Sequence, residues 1–140
     1  MAAIHKAALG GKAEKLRRLL ESGESPDTVY NQHAFYVTKT PLHCLCQRNN
    51  GGDRAACFEL LREAGANLEA RTGGDPEAST VLHFAAKGRT EILSLLLEAG
   101  LNVNVTNSGG YTPLHWAAGG FAGVRRSTEC VELLLKAAPP

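Results

Sequence analysis

The chain has 140 residues, of which 20 are Ala, 19 Leu and 15 Gly, a length that fits one compact domain. Its 15 Lys and Arg against 14 Asp and Glu leave a formal charge of +1, so no global field draws in nucleic acid or an anionic membrane. No apolar run approaches the roughly 20 residues that cross a bilayer, the densest block being Leu93 to Leu97 with Ser94 inside it.

In chain order, residues 1 to 20 form an Ala-rich amphipathic stretch with a faint transit-peptide character, but Glu14 interrupts it and the pattern recurs downstream, so it is read as structure. Its Ile4-His5-Lys6-Ala7-Ala8 returns in altered form as Thr40-Pro41-Leu42-His43, Thr80-Val81-Leu82-His83 and Thr112-Pro113-Leu114-His115, with the histidines 38, 40 and 32 residues apart. Each anchor opens a short Ala-rich helix. A Leu-rich helix follows, over Leu16–Leu20, Phe58–Leu61, Ile92–Leu97 and Val131–Leu135, so each copy reads as a helical pair. Three of the second helices run into Gly23, Gly65 and Gly100, where glycine suits a left-handed stop.

The copies differ in their connections. From His5 to Gly23 is 18 positions and from His83 to Gly100 is 17, but from His43 to Gly65 is 22 and from His115 to the equivalent Ala138 is 23. The extra residues fall in Gln47–Arg54 and Gly119–Arg126, between the helices of a pair. The segments ahead of His43 and His83 are lengthened as well. The first runs through Tyr30, Phe35 and Tyr36, three of the eight aromatic residues. Aromatics spent there either fold back as a minicore or meet a partner. The second, Arg71 to Ser79, is polar with Gly73-Gly74 and Pro76 and reads as a mobile tip, and Val81 in place of proline leaves the turn geometry open.

These residues resemble the ankyrin repeat family, whose unit of about 33 residues is a β-turn plus two antiparallel helices with a T-P-L-H-x-A signature. The clearest copy runs from His83-Phe84-Ala85-Ala86 to Gly100, then Asn102-Val103-Asn104 and Gly110 to His115. The resemblance implies an all-α solenoid of four helix-turn-helix repeats with β-hairpin fingers. One domain over residues 1–140 is expected, with repeats at about 1–34, 35–74, 75–106 and 107–140. Lys15 and Arg18 align with the apolar Ile92 and Leu95, as expected of an N-terminal cap with no preceding repeat to cover. The last repeat keeps Cys130 and Leu133, so self-association through that repeat is a further expectation.

The histidines are read as structural, since recurrence in every unit is what packing demands, and neighbouring units set equivalent residues about 10 Å apart, too wide for one tetrahedral ion. In the family this His bonds the neighbouring turn. Cys44 and Cys46 beside His43 form the best zinc-like cluster, but no second ligand pair accompanies them. Cys46 replaces an alanine and Cys57 and Cys130 replace Ile92, core positions where cysteine acts as a small buried hydrophobe, whereas Cys44 is expected to face outward and to be the reachable thiol. Gly119-Gly120-Phe121-Ala122-Gly123 lacks the lysine of a phosphate loop, and no nucleophile stands beside a usable base. No metal, cofactor or catalytic residue is expected. The basic Lys12, Lys15, Arg17 and Arg18 lack the interleaved aromatics of a nucleic-acid site.

The resemblance implies a partner protein held by finger tips and first helices. The corresponding residues here are Phe35, Tyr36, Lys39, Ser79, Asn107, Ser108 and Tyr111 in the fingers, with Cys44, Arg48, Phe84, Lys87 and Trp116 on the first helices. Phe84 and Trp116 occupy equivalent places in adjacent repeats and make candidate hot spots. Asn104 resembles sites of asparaginyl hydroxylation. The thiols and the lack of a secretory signal point to a cytoplasmic or nuclear setting. An N-terminal recognition piece of a larger protein and a small Cys/His metal protein or enzyme are the alternatives.

Overall fold

The computed structural model describes residues 1–32, 37–47, 51–73, 78–119 and 126–138. Four helix pairs follow one another: α1 (Ala3–Leu9) with α2 (Ala13–Glu21), α3 (Pro41–Leu45) with α4 (Arg54–Glu63), α5 (Val81–Ala85) with α6 (Thr90–Glu98), and α7 (Pro113–Ala118) with α8 (Thr128–Ala137). First helices pack on first helices and second on second, each only against its neighbours in the stack. This is the all-α repeat solenoid expected from the sequence.

The local rules are legible in each unit. Thr40 and Thr112 cap their helices by accepting the backbone N–H of His43 and His115, and Pro41 and Pro113 occupy the first turn, where a missing N–H costs nothing. Thr80 adopts the same extended backbone (φ −84°, ψ 168°) without a following proline, so Val81 leaves the geometry of that turn intact. Gly23, Gly65 and Gly100 stop the second helices at φ 99°, 90° and 84°, a region that L side chains rarely adopt.

Between the pairs lies one continuous apolar core in which Ile4, Leu16, Leu42, Phe58, Leu61, Leu93 and Leu96 are all but fully covered. Alanines at Ala7, Ala8, Ala85, Ala86 and Ala117 line the first helices and let them approach closely. In α2 only Leu16 is buried. Lys15 and Arg18 lie in solvent, and Glu14 pairs with Arg17 at 2.7 Å and with Arg18 at 3.6 Å, the polar outer face expected of a terminal repeat.

The fingers form a ladder of their own. Strands β1 (Tyr30–Gln32) and β2 (Val37–Lys39) pair antiparallel with Tyr30 opposite Lys39. Thr38 then exchanges backbone hydrogen bonds with Gly73 of the second finger at 2.8 and 3.2 Å. The third finger is drawn to the second by Asn107, whose side-chain N–H donates to Ser79 Oγ at 3.2 Å.

Candidate functional site

The site begins with the histidines. In His83 the Nδ1 atom accepts the Thr80 backbone N–H at 3.2 Å, so the proton sits on Nε2 and is donated to the Tyr111 carbonyl of the next finger at 2.8 Å. His5 reaches the Thr28 carbonyl in the same way at 2.7 Å. Each ring joins a helix start to the following hairpin, the structural task expected of it. Desolvation lowers the pKa of both His5 and His83 below the ordinary 6.5, which favours the neutral ring this geometry requires.

Aromatic rings extend these links along the face made by first helices and fingers. His43 meets Phe84 edge-on at 5.4 Å, Phe84 meets Trp116 at 5.6 Å, and His83 meets Trp116 at 5.3 Å. Adjacent repeats do bring Phe84 and Trp116 side by side. Trp116, however, is only 6 % exposed and Phe84 is half-buried, because each ring lies in the angle between its own helix and the preceding one. The two candidate hot spots therefore form a packed ladder in which Trp116 is buried and only Phe84 keeps partial exposure.

Two ammonium groups attend that edge. Lys87 Nζ stands 4.7 Å from the Trp116 centroid and 5.1 Å from that of Phe84, while Lys39 Nζ lies 5.7 Å from Phe84. Such approaches hold a cation through the ring quadrupole by about 0.5–2 kcal/mol. Farther along, Tyr111 is 39 % exposed and packs edge-on against His115 at 5.6 Å, with Ser108 in solvent beside it.

Several expected contact residues are removed from the surface. Cys44 is fully buried, and Tyr30 of the first finger folds back beside its thiol and meets the His5 ring edge-on at 4.7 Å. This corrects the reading of Cys44 as the reachable thiol and settles Tyr30 as a minicore residue. Burial pushes Cys44 and Cys57 up to about 11 and Cys46 up to about 12, so these thiols stay protonated at neutral pH and are poor nucleophiles or ligands. Ser79 and Asn107 are also buried. Asn107 accepts the N–H groups of Gly109 and Tyr111 at 3.0 Å each, so its side chain shapes the third finger. Lys39 keeps its stem buried. Asn104 is exposed, but it is Asn102 that ties this turn, its side-chain oxygen accepting the Asn104 N–H at 3.0 Å. Phe35, Tyr36 and Arg48 lie outside the described residues, as does most of the Gly119–Arg126 connection.

A further device escaped the sequence reading. Arg54 donates to the Leu45 and Leu9 carbonyls at 2.8 Å each, and Arg89 donates to Cys46 and Gln47 at 3.1 and 2.8 Å. Each guanidinium thus bridges one unit to the carbonyl end of the preceding first helix, where positive charge is favoured. The recurrence of arginine where a second helix begins was the available signal.

Comparison with known proteins adds relatives. The family model described as ankyrin repeats, three copies, matches residues 50–139. The chain is 32 % identical over 139 residues to inversin of Gallus gallus, covering 98 % of this chain and 11 % of inversin. It is 33 % identical over 123 residues to SH3 and multiple ankyrin repeat domains protein 2 of Homo sapiens, covering 87 % of this chain and 6 % of that protein. Over 50 residues it is 52 % identical to protein phosphatase 1 regulatory subunit 12A of Mus musculus, covering 35 % of this chain and 4 % of that subunit. The chain spans a small fraction of the length of each of these three relatives.

Proposed function

The chain belongs to the ankyrin-repeat family, and from that premise we propose that it is a non-enzymatic recognition module that holds a partner protein against its first helices and fingers. Ankyrin repeats bind other proteins, and the matched relatives include a phosphatase regulatory subunit, so an adaptor, inhibitor or targeting role fits the architecture. The observation that carries the reading is the aromatic ladder. Phe84 presents an edge, Trp116 fixes it from behind at 5.6 Å, Lys87 flanks it, and Tyr111 is tied by its carbonyl to His83 at 2.8 Å. Aromatic residues supply large contact area at low ordering cost, which is why they anchor interfaces. The rigid helix-to-finger links of His5 and His83 keep that surface in one shape before any partner arrives.

The contact residues of this reading are Phe84, Lys87, Ser108 and Tyr111, with Trp116 and Lys39 as support. The free, buried thiols of all four cysteines support a reducing, cytoplasmic or nuclear setting. The test is a double variant, Phe84→Leu with Tyr111→Ser, which removes the aromatic surface while leaving Trp116 packed. Partner capture from native lysate, scored by mass spectrometry, is expected to be lost while cooperative unfolding persists. Capture undiminished in that variant places the partner elsewhere.

A further inference from the structure

The four units differ at one set of equivalent positions. Ile4, Leu42 and Leu82, and the histidines that follow them, are buried, whereas Leu114 is half-buried and His115 lies in solvent. On the second helices Leu16, Phe58 and Leu93 are sealed, but the equivalent Val131 is half-buried, and Leu135 is 58 % exposed where Leu97 is partly covered. Among the described residues the last unit alone has no unit stacked after it. What covers these positions in the other three is therefore the unit that follows.

That unit also completes the histidine. His5 donates to the Thr28 carbonyl at 2.7 Å and meets the Tyr30 ring at 4.7 Å, and His83 donates to the Tyr111 carbonyl at 2.8 Å and meets the Trp116 ring at 5.3 Å. In His115 the Nδ1 atom accepts the Thr112 N–H at 2.9 Å, so the proton again sits on Nε2. No acceptor for it stands among the described residues, where the ring meets Tyr111 of its own unit at 5.6 Å. We infer that the open face of α7 and α8 takes one further helix-pair unit, joined in line after α8, whose hairpin carbonyl accepts the His115 Nε2–H and whose aromatic side chain meets the His115 ring. The apolar part of this face, Leu114, Val131 and Leu135, is small beside the roughly 800 Å² per partner of an interface between separate chains, and a joined unit avoids the cost of association. A second copy of the chain is the poorer occupant. Its first unit would meet this face with Lys15 and Arg18, which lie in solvent, and tail to tail it brings the same ring donor rather than the hairpin that covers His83.

The test compares the chain with a version in which residues 1–138 run directly into a second copy of residues 101–138. That added unit carries the hairpin and tryptophan that already cover His83, so its leading face is known to fit a unit of this stack. In the chain as it stands, sedimentation is expected to show a monomer, and the backbone amides of α8 are expected to exchange at least about tenfold faster than those of α6. On extension, α8 exchange is expected to slow about tenfold, and a slowly exchanging His115 Nε2–H is expected to appear in proton spectra at neutral pH. Leu135→Asp supplies the contrast. It is expected to leave the denaturation midpoint of the unextended chain unchanged, because the side chain is exposed there, and to lower that of the extended chain and speed its α8 exchange. Equal exchange of α6 and α8 in the unextended chain overturns the inference, as does an α8 or a His115 proton that ignores the extension, or equal tolerance of Leu135→Asp in both chains. A dimer of the unextended chain that Leu135→Asp dissociates overturns it as well and assigns the face to a second copy.

Discussion

His43, His83 and His115 each sit three residues after a threonine, and the pair closes a reciprocal cap in which the backbone N–H of the threonine reaches Nδ1 at 3.2, 3.2 and 2.9 Å. The first unit has Ala2 in that place, in a similar extended backbone (φ −71°, ψ 161°), and His5 Nδ1 is left buried without a partner among the described residues. Ala2→Thr is therefore expected to stabilise the fold by about 1 kcal/mol, read as a rise in denaturation midpoint; an unchanged or lower midpoint contradicts this account of the cap. The same rings set a pH dependence. Burial lowers the folded pKa of His5 and His83 below 6.5, so between the folded and unfolded values the unfolded chain binds more protons and stability rises with pH. Their contribution is complete above the ordinary value and is lost as pH falls through the lowered ones. The urea midpoint is expected to drop between about pH 7.5 and about pH 5, and a midpoint that holds or climbs on acidification refutes the assignment. The repeating Thr-x-x-His was visible in sequence, whereas the Nε2 acceptors, 23 and 28 residues away, were beyond any local pattern.

At the scale of elements, the helix pairs are joined by polar bridges as well as by leucines. Arg89 precedes α6 and carries two hydrogen bonds to the carbonyl end of α3. Bonds from a charged donor contribute more than neutral ones, and Arg89→Met, which keeps the stem but not the fork, is expected to cost about 2 kcal/mol. Chemical denaturation measures it, and a neutral result assigns the bridge no net value. The connection between the first two units is close enough to require glycine. A side chain at Gly52, where φ is 78°, would meet the Gly10 and Gly11 carbonyl oxygens at 2.6 Å. The sequence marked Gln47–Arg54 as an insertion, but it did not show that Gly51 and Gly52 lie backbone to backbone against Gly10 and Gly11 of the preceding unit, where the Asp53 N–H also reaches the Gly11 carbonyl at 2.9 Å.

Across the whole molecule, contacts join neighbours in the stack and nothing joins the first described unit to the last. Stability in such a chain is close to a sum of unit and interface terms, so damage at one end need not travel. Leu134 of α8 is 2 % exposed, and Leu134→Ala is expected to cost about 2–5 kcal/mol, concentrated in the last pair. Trp116 emission is then expected to change at lower denaturant than far-ultraviolet circular dichroism, which reports all eight described helices. Coincident transitions in the variant indicate that the four pairs unfold as one unit.

The sequence by itself determined the repeat, its helix pairs, its caps and its glycine stops, because each depends on residues within a few positions of one another and recurs along the chain. It also set Phe84 and Trp116 at equivalent places in adjacent repeats, and the family resemblance put Lys87 and Tyr111 on the same surface. Only the tertiary structure decided which of these stay exposed. Cys44 and Trp116 occupy outward register positions, yet Tyr30 folds back beside the first and the angle between α5 and α7 takes in the second. Exposure at a repeat position depends on what the neighbouring units and fingers place over it, and that depends on residues tens of positions away.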